Sequence, residues 1–428
     1  MSVAPQIKGW CPSAWRPMLT GDGYLVRLHF SCGIVSSDQA RAVATLARRY
    51  GNGSIDLTRR ANLQIRGVAE ARISELQAEL VAQGLIGDDA AADTTPNVIA
   101  SALAGRDREA LIDIRPLVQQ LETRLAKSPR AQNLPAKFCI AVSDGGRFSL
   151  LEIGADIAFE ACRRDRFAVR IGGSGVVGFV EADGVADTAI ALVTAFVSLR
   201  AMKAMPARRM RELVGEVGQS AIFASCPALR RASTRSSSAH DNMDGRAKPG
   251  HEAVGSIDSD VFAVAAPFGS FSADQLQLLA DLAVLHAQSE LRLTPWRTIL
   301  IPAIASGAIG NVGGECARAG LITDASDPRR HVLACTGAPA CASASVKTRD
   351  IAAALAPLVR AADTLHVSGC AKSCASSAPA SVTLVGRRGR FDLVYDGKVS
   401  DAPALFGLSP EEARVAVQQI AAEDLAHV

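Results

Sequence analysis

Apolar and polar positions run twice through the same strand, helix, strand order. Residues 24–68, YLVRLHFSCGIVSSDQARAVATLARRYGNGSIDLTRRANLQIRGV, open with alternating apolars. They pass a Ser-x-Asp-Gln helix start and end in aliphatic alternation. Residues 261–304, VFAVAAPFGSFSADQLQLLADLAVLHAQSELRLTPWRTILIPAI, read the same way. Laying Ser36 on Ser272 without gaps also pairs Asp38 with Asp274, Gln39 with Gln275, Ala44 with Ala280, Leu46 with Leu282, Ala47 with Ala283, Leu57 with Leu293 and Thr58 with Thr294. A shared capping convention accounts for the helix start but not for Leu-Thr at the far strand. The separation of 236 residues is far longer than a solenoid period. The pattern predicts two large homologous halves with a site at their pseudo-twofold junction.

Residues 230–260, RRASTRSSSAHDNMDGRAKPGHEAVGSIDSD, lack apolar periodicity and read as a disordered linker or surface insertion, with His240 and His251 solvated. The stretch from about 90 to 130 reads as helical and Ala-rich. KFCIAVSD and FAVRIGG supply strands of a second domain in the first half; TLHVSG, SVTLVG and FDLVYDG do so in the last third. The expectation is an α+β fold with mixed sheets, divided at 1–75, 76–229, 230–260, 261–310 and 311–428.

Composition narrows the class. Hydrophobic residues make up 48% and charged residues 21% of 428, the balance of a soluble globular protein. A net charge of +3 is too small to argue for nucleic acid. The opening MSVAPQIKGWCPSAWRP lacks the apolar core of a secretory signal, and the longest strongly apolar stretch, TAIALVTAFVSL, has 12 residues. A cytoplasmic protein with neither membrane nor nucleic-acid partner is expected. In a reducing compartment, clustered cysteines read as metal ligands or catalytic groups before disulfides. Of ten cysteines, Cys11, Cys32, Cys139, Cys162, Cys226 and Cys316 are scattered and read as small packed thiols.

The remaining four form a pattern: Cys335 and Cys341 in ACTGAPACAS, then Cys370 and Cys374 in SGCAKSCASS, spaced C-x5-C, 28 residues, C-x3-C. Structural zinc favours tighter knuckles, while iron–sulfur clusters take four thiolates at family-specific spacings, so spacing alone leaves both open. Composition adds an argument. A bulky cluster needs the backbone close, and both loops consist of Gly, Ala, Ser and other small residues that allow this approach. Unligated thiols remain the third possibility.

SGCAKSC followed by SVTL resembles the 4Fe-4S signature of the sirohaem nitrite and sulfite reductase superfamily, with Ser381 where that signature carries an acid. The resemblance implies an internally duplicated nitrite/sulfite reductase-like architecture: two ferredoxin-like half-domains plus two larger α+β domains, and a tetrapyrrole between the halves beside a cluster held by Cys335, Cys341, Cys370 and Cys374. LTRRANLQIRG resembles the family's Thr-x-Arg-x-Asn-x-Gln run, placing Arg60, Asn62 and Gln64 at the tetrapyrrole. LPAKFCIAV resembles Leu-Pro-Arg-Lys-Phe-Lys and so places Lys137 there, and LVRLHFSCG places Arg27. Without the resemblance, Arg60 reads as the solvated face of an edge strand.

The departures carry information. His29 stands where the reductases have a second arginine and Cys139 where they have a second lysine, so the cationic pocket that holds a small anion is thinned. CPSAWRPMLTGDGYLVRL, LRLTPWRTILIP and GLITDASDPRRHVLACTGAPACASA resemble the precorrin-3B synthase branch instead. That branch implies an oxidoreductase of aerobic cobalamin biosynthesis, a monooxygenase that hydroxylates precorrin-3A at C-20 with γ-lactone formation. It uses dioxygen, NADH-derived electrons and an associated mononuclear non-haem iron. No ligand set for that iron is legible, and no catalytic residue is assigned. Neither a Gly-x-Gly-x-x-Gly motif nor a P-loop is present, so NADH is expected to bind a separate electron-donating reductase. Two alternatives stand beside it: a reductase in which sirohaem is the cofactor, and a zinc-stapled binding protein.

Overall fold

Ser36 and Ser272 each cap a helix in the same way. The serine hydroxyl accepts from the N–H three residues on, and the Gln39 or Gln275 side chain takes back the cap N–H. The computed structural model describes residues 10–88, 96–203, 205–226, 248–249 and 253–423. In the first half, β1 (Met18–Thr20), β2 (Gly23–Leu28), β3 (Ile34–Ser36), α1 (Ser37–Tyr50), β4 (Ser54–Leu57) and β5 (Leu63–Val68) precede α2 (Ile73–Ala82). In the second half, β13 (Gly255–Asp258), β14 (Val261–Ala265), β15 (Ser270–Ser272), α6 (Ala273–His286), β16 (Glu290–Leu293) and β17 (Thr298–Pro302) precede α7 (Ile309–Arg318).

Each half lends a short strand to the other. The sheet orders are β1-β2-β5-β4-β15 and β13-β14-β17-β16-β3, with both lent strands antiparallel to their hosts. The exchange is sealed by a reciprocal pair of backbone bonds, Ser37 N–H to Ser289 O and Ala273 N–H to Gly53 O, both 2.8 Å. The backbone itself repeats. Positive φ recurs at Cys32 and Phe268, Gly33 and Gly269, Gly53 and Ser289, Ala61 and Arg297, Gly67 and Ala303, each pair 236 positions apart. Val43, Leu46 and Ile65 share one core with Leu279, Leu282 and Ile301. Neither sheet is complete without the other half, so the two form one body.

The larger sheets are also copies. In the first half, β6 (Asn97–Ala100), α3 (Arg115–Ala126), β7 (Cys139–Ser143), β8 (Phe148–Ser149), β9 (Ile157–Arg163), β10 (Arg166–Ile171) and β11 (Val176–Glu181) lead to α4 (Val185–Ala201) and α5 (Met210–Ala224). β6, β7 and β9 are parallel; β10 and β11 follow antiparallel. A short strand, β12 (Lys248–Pro249), lies parallel to β8. The second half repeats this with β18 (Val332–Ala334), α8 (Thr348–Leu355), β19 (Leu365–Ser368), β20 (Ala380–Arg387), β21 (Arg390–Gly397) and β22 (Leu405–Leu408), closed by α9 (Pro410–Glu423).

Two expectations are corrected. The stretch from 90 to 130 is not continuously helical: β6 and a run of turns precede α3, because Val98, Ile99 and Ala100 are buried in a parallel sheet. The proposed linker, 230–260, runs into ordered structure: Ala253 and Val254 are buried, and β13 is the edge of the second exchanged sheet. His240 and His251 lie outside the described residues. Residues 182–201 are apolar and long enough to cross a bilayer. Half of that window is buried, and Ala189, Leu192, Val193 and Phe196 of α4 pack in the core of the first large sheet.

Candidate functional site

Both cysteine pairs leave the carboxyl ends of neighbouring parallel strands, where open α/β sheets place their binding crevices. Cys335 follows β18; Gly369 and Cys370 follow β19. The Cys335 N–H donates to Val367 O at 3.3 Å, and Gly369 N–H donates to Cys335 Sγ at 3.2 Å. Thr348, at the start of α8, donates its hydroxyl to Cys335 O at 2.6 Å. Lys372 Nζ reaches Ser343 Oγ at 3.0 Å and ties the second loop to the first. Gly369 is required by space: a Cβ there would lie 2.6 Å from Ala344 Cβ and 3.4 Å from Cys335 Sγ.

Cys370 is half-buried and Cys374 exposed; partial desolvation raises both thiols, and the charges of Cys335 and Cys341 raise them further. The four sulfurs therefore sense one another. Tetrahedral zinc requires four sulfurs about 3.8 Å apart at Zn–S bonds of about 2.3 Å. Among the described residues no three His, Cys, Asp or Glu side chains converge into such a single-ion site. The small-residue walls and the Gly369 N–H aimed at Cys335 Sγ are features of the kind a thiolate-held metal site uses.

The first half reaches this loop through its β1–β2 turn. Gly21 N–H donates to Ala340 O at 3.1 Å, and a Cβ on Gly21 would lie 1.9 Å from Pro339 O. Asp22 in the same turn pairs with Arg66 at 2.9 Å, and Arg66 donates to Ala340 O at 3.2 Å. The Thr-Gly-Asp-Gly stretch thus clamps the loop between Cys335 and Cys341.

The five residues assigned to a tetrapyrrole form a connected group whose members do different work. Arg27 and Gln64 are cross-strand partners on β2 and β5; with its amide turned, Gln64 Oε1 accepts from Arg27 Nε at 2.8 Å and Nη2 at 2.7 Å. Burial lowers the Arg27 pKa, opposed by Cys11, and the nearby Arg60 charge lowers it further. Arg60 donates to Ala136 O at 3.2 Å and to Lys137 O, so it holds the turn that presents Lys137. Lys137 is exposed, and its charge favours the Cys374 thiolate. Asn62, 1% exposed, is occupied: Nδ2 donates to Asn97 Oδ1 at 2.6 Å, and Oδ1 faces His29 Nδ1 at 3.1 Å. Arg60 thus fixes the turn that carries Lys137, Gln64 holds Arg27, and Asn62 joins His29 to Asn97.

The two departures have local explanations. His29 Nε2 lies 3.0 Å from Glu122 Oε1 and Nδ1 lies 3.1 Å from Asn62 Oδ1, so both ring nitrogens face oxygens. Cys139 opens β7, its N–H donating to Asp156 Oδ2 at 3.0 Å; burial raises its thiol. Of the scattered thiols, Cys32, Cys139, Cys226 and Cys316 are buried, and burial pushes Cys32 and Cys316 up to about 12.

Sequence reasoning missed Arg59, Arg297, Arg349 and His366, which gather at the junction of the halves. A histidine inside the otherwise apolar strand TLHVSG, just before Gly-Cys, was the available signal.

Comparison with known proteins now bears on these observations. The nitrite/sulfite reductase ferredoxin-like half domain matches residues 16–83 and 259–317, and the nitrite and sulphite reductase 4Fe-4S domain matches residues 91–229. The chain belongs to the nitrite/sulfite reductase family. Family membership supports a 4Fe-4S cluster, although the matched 4Fe-4S segment is the first copy, which holds Cys139, Cys162 and Cys226 and not the quartet. A precorrin-3B synthase from Sinorhizobium sp is 29% identical over 95% of this chain and 86% of its own length. A ferredoxin–nitrite reductase from Synechococcus elongatus is 27% identical over 98% of this chain and 87% of its own. The structure of Mycobacterium tuberculosis NirA superposes with a TM-score of 0.71 at 19% identity, covering 93% of this chain and 80% of NirA, and shares the fold.

Proposed function

We propose that this chain is a cytoplasmic precorrin-3B synthase of aerobic cobalamin biosynthesis. It hydroxylates precorrin-3A at C-20, and a ring A acetate closes the γ-lactone. One oxygen atom of dioxygen enters the substrate and the other leaves as water, with two electrons from NADH delivered by a separate reductase. The reading is supported by the full-length similarity to the Sinorhizobium protein. The observation that carries it is the His29–Glu122 contact at 3.0 Å: a histidine beside a carboxylate, at the position that by the sequence resemblance is an arginine in the anion reductases.

On this reading the residues act as follows. Cys335, Cys341, Cys370 and Cys374 hold a 4Fe-4S cluster, which supplies electrons singly. Arg27 and Lys137 pair with substrate carboxylates by charge-assisted bonds. Arg60 fixes the Lys137 turn, Gln64 orients Arg27, and Asn62 braces His29 against β6. A mononuclear non-haem iron belongs to the proposal without assigned ligands.

The test is anaerobic cluster reconstitution followed by aerobic incubation with precorrin-3A and a reducing system, watching for the hydroxylactone by mass. A second reading, a sirohaem-dependent nitrite or sulfite reductase, is favoured by the Synechococcus relative's coverage of 98% of the chain. Bound sirohaem with an intense Soret band, together with nitrite or sulfite turnover, would establish it instead.

A further inference from the structure

The turns after β4 and β16 are equivalent, and both bring arginine to the junction. Thr58 O accepts from Ala61 N–H, and Thr294 O accepts from Arg297 N–H. Arg297 takes φ of 64°, a left-handed conformation uncommon for an arginine. Its side chain lies along Gly269, where a Cβ would meet Arg297 Cδ at 2.6 Å. Arg59 stands in the first-half turn, and Arg349 on α8 donates to Asp56 Oδ1 at 2.9 Å.

The charges at this place do not balance. Both Asp56 oxygens are taken, Oδ1 by Arg349 at 2.9 Å and Oδ2 by Arg66 at 3.2 Å. Arg59 has no hydrogen-bond or carboxylate partner among the described residues. Arg297 donates one Nη1 bond to Phe268 O at 3.3 Å, but its Nε is buried and unpartnered, as is Arg349 Nε. His366 on β19 is wholly buried with neither ring nitrogen partnered, and it lies within reach of the Arg59 charge. Burial lowers the Arg297 pKa to about 10, the Arg59 and Arg349 charges adding to the effect. Arg59 is exposed, but the buried Nε atoms of Arg297 and Arg349 and the ring nitrogens of His366 are costly to leave unpartnered unless an acceptor enters.

We propose that Arg59 and Arg297, one from each half, form a carboxylate-binding subsite, with Arg349 and His366 completing its wall. Resting on the tetrapyrrole reading above, the occupant is a side-chain carboxylate of the substrate other than the one that Lys137 meets. Planar guanidinium forks suit a carboxylate in bidentate geometry. Arg59 and Arg60 are chain neighbours with different surroundings: Arg60 fixes the Lys137 turn, and the Arg59 charge acts on Arg297.

The test uses cluster-reconstituted protein and two probes. Uroporphyrin, an octacarboxylate tetrapyrrole, is titrated by fluorescence quenching; citrate, a carboxylate without the macrocycle, is scored by thermal shift. Arg59→Gln and Arg297→Gln are each expected to weaken uroporphyrin at least tenfold and to abolish the citrate shift. Arg59→Lys and Arg297→Lys should retain most of both, with circular dichroism and iron content confirming intact protein. Uroporphyrin affinity within twofold of the parent, and an unchanged citrate shift in both glutamine variants, would overturn the subsite. If the parent ignores uroporphyrin while citrate stabilises it and not the glutamine variants, the subsite stands for a smaller carboxylate and the tetrapyrrole reading falls.

Discussion

The N–H of Gly369 donates to Cys335 Sγ at 3.2 Å, and at the equivalent place in the first half Asp144 N–H donates to Ser101 Oγ at 3.0 Å. The register makes the comparison strict: Ala334 pairs with Val367 and Ala100 with Val142, one residue before each acceptor. One copy of the loop therefore already works with a hydroxyl in the thiol's position. Cys335→Ser should fold, with apo stability within about 1 kcal/mol of the parent. It should lose the cluster, read as iron and acid-labile sulfide at background after reconstitution. Full cluster content in this variant would remove Cys335 from the ligand set.

The clamp of the β1–β2 turn on the first cysteine loop predicts a remote effect. A Cβ on Gly21 would lie 1.9 Å from Pro339 O, a backbone atom that can yield only by moving the loop. Gly21→Ala should cut iron loading severalfold while leaving the exchanged sheets folded by circular dichroism. Normal loading would show that the loop between Cys335 and Cys341 is positioned without the first half.

Much of this was legible in the chain, for identifiable reasons. Ser36 and Ser272 announce their helices because a capping box is a local device, and Leu57-Thr58 and Leu293-Thr294 repeat because both begin the same turn. The exchange of β3 and β15 was not legible. Each strand has three residues, and which sheet receives it depends on packing between halves and not on its own alternation. The quartet stood out by spacing and small neighbours. Arg59 and Arg297 did not, since an arginine in a polar turn looks solvated until the fold sets another arginine against it.

Asp56 should behave unlike a surface carboxylate. It holds Arg66, which is buried, and Arg349 at the same time. Asp56→Asn leaves two guanidinium groups short of charge and should cost about 3 kcal/mol in urea unfolding. Asp38→Asn, which loosens an exposed pair with Arg41, should change nothing measurable. Equal small effects would mean that Asp22 suffices to compensate the buried Arg66.

The repeated capping boxes predict repeated energetics. Ser36→Ala and Ser272→Ala should each destabilise by about 1 kcal/mol. Because α1 packs on α6, departure of the double variant from additivity measures how tightly the two halves unfold together.

His366 gives a pH dependence of defined sign. Burial, with the Arg59 charge, pushes its pKa down to about 4 from an ordinary 6.5. Above pH 6.5 the imidazole is neutral in folded and unfolded chains and contributes nothing. As pH falls below 6.5 the unfolded chain takes up the proton first, so folded stability declines until about pH 4, where the native ring also titrates. At pH 5 the loss is about 2 kcal/mol. His366→Leu removes two unpartnered nitrogens, so it should be near neutral at pH 7.5 and should flatten the acid limb between pH 6.5 and 4. The comparison belongs in a buffer free of carboxylates, because an anion beside Arg59 would raise the imidazole pKa and shrink the difference. Parallel acid limbs in parent and variant would assign the loss to other groups and leave His366 without a part in it.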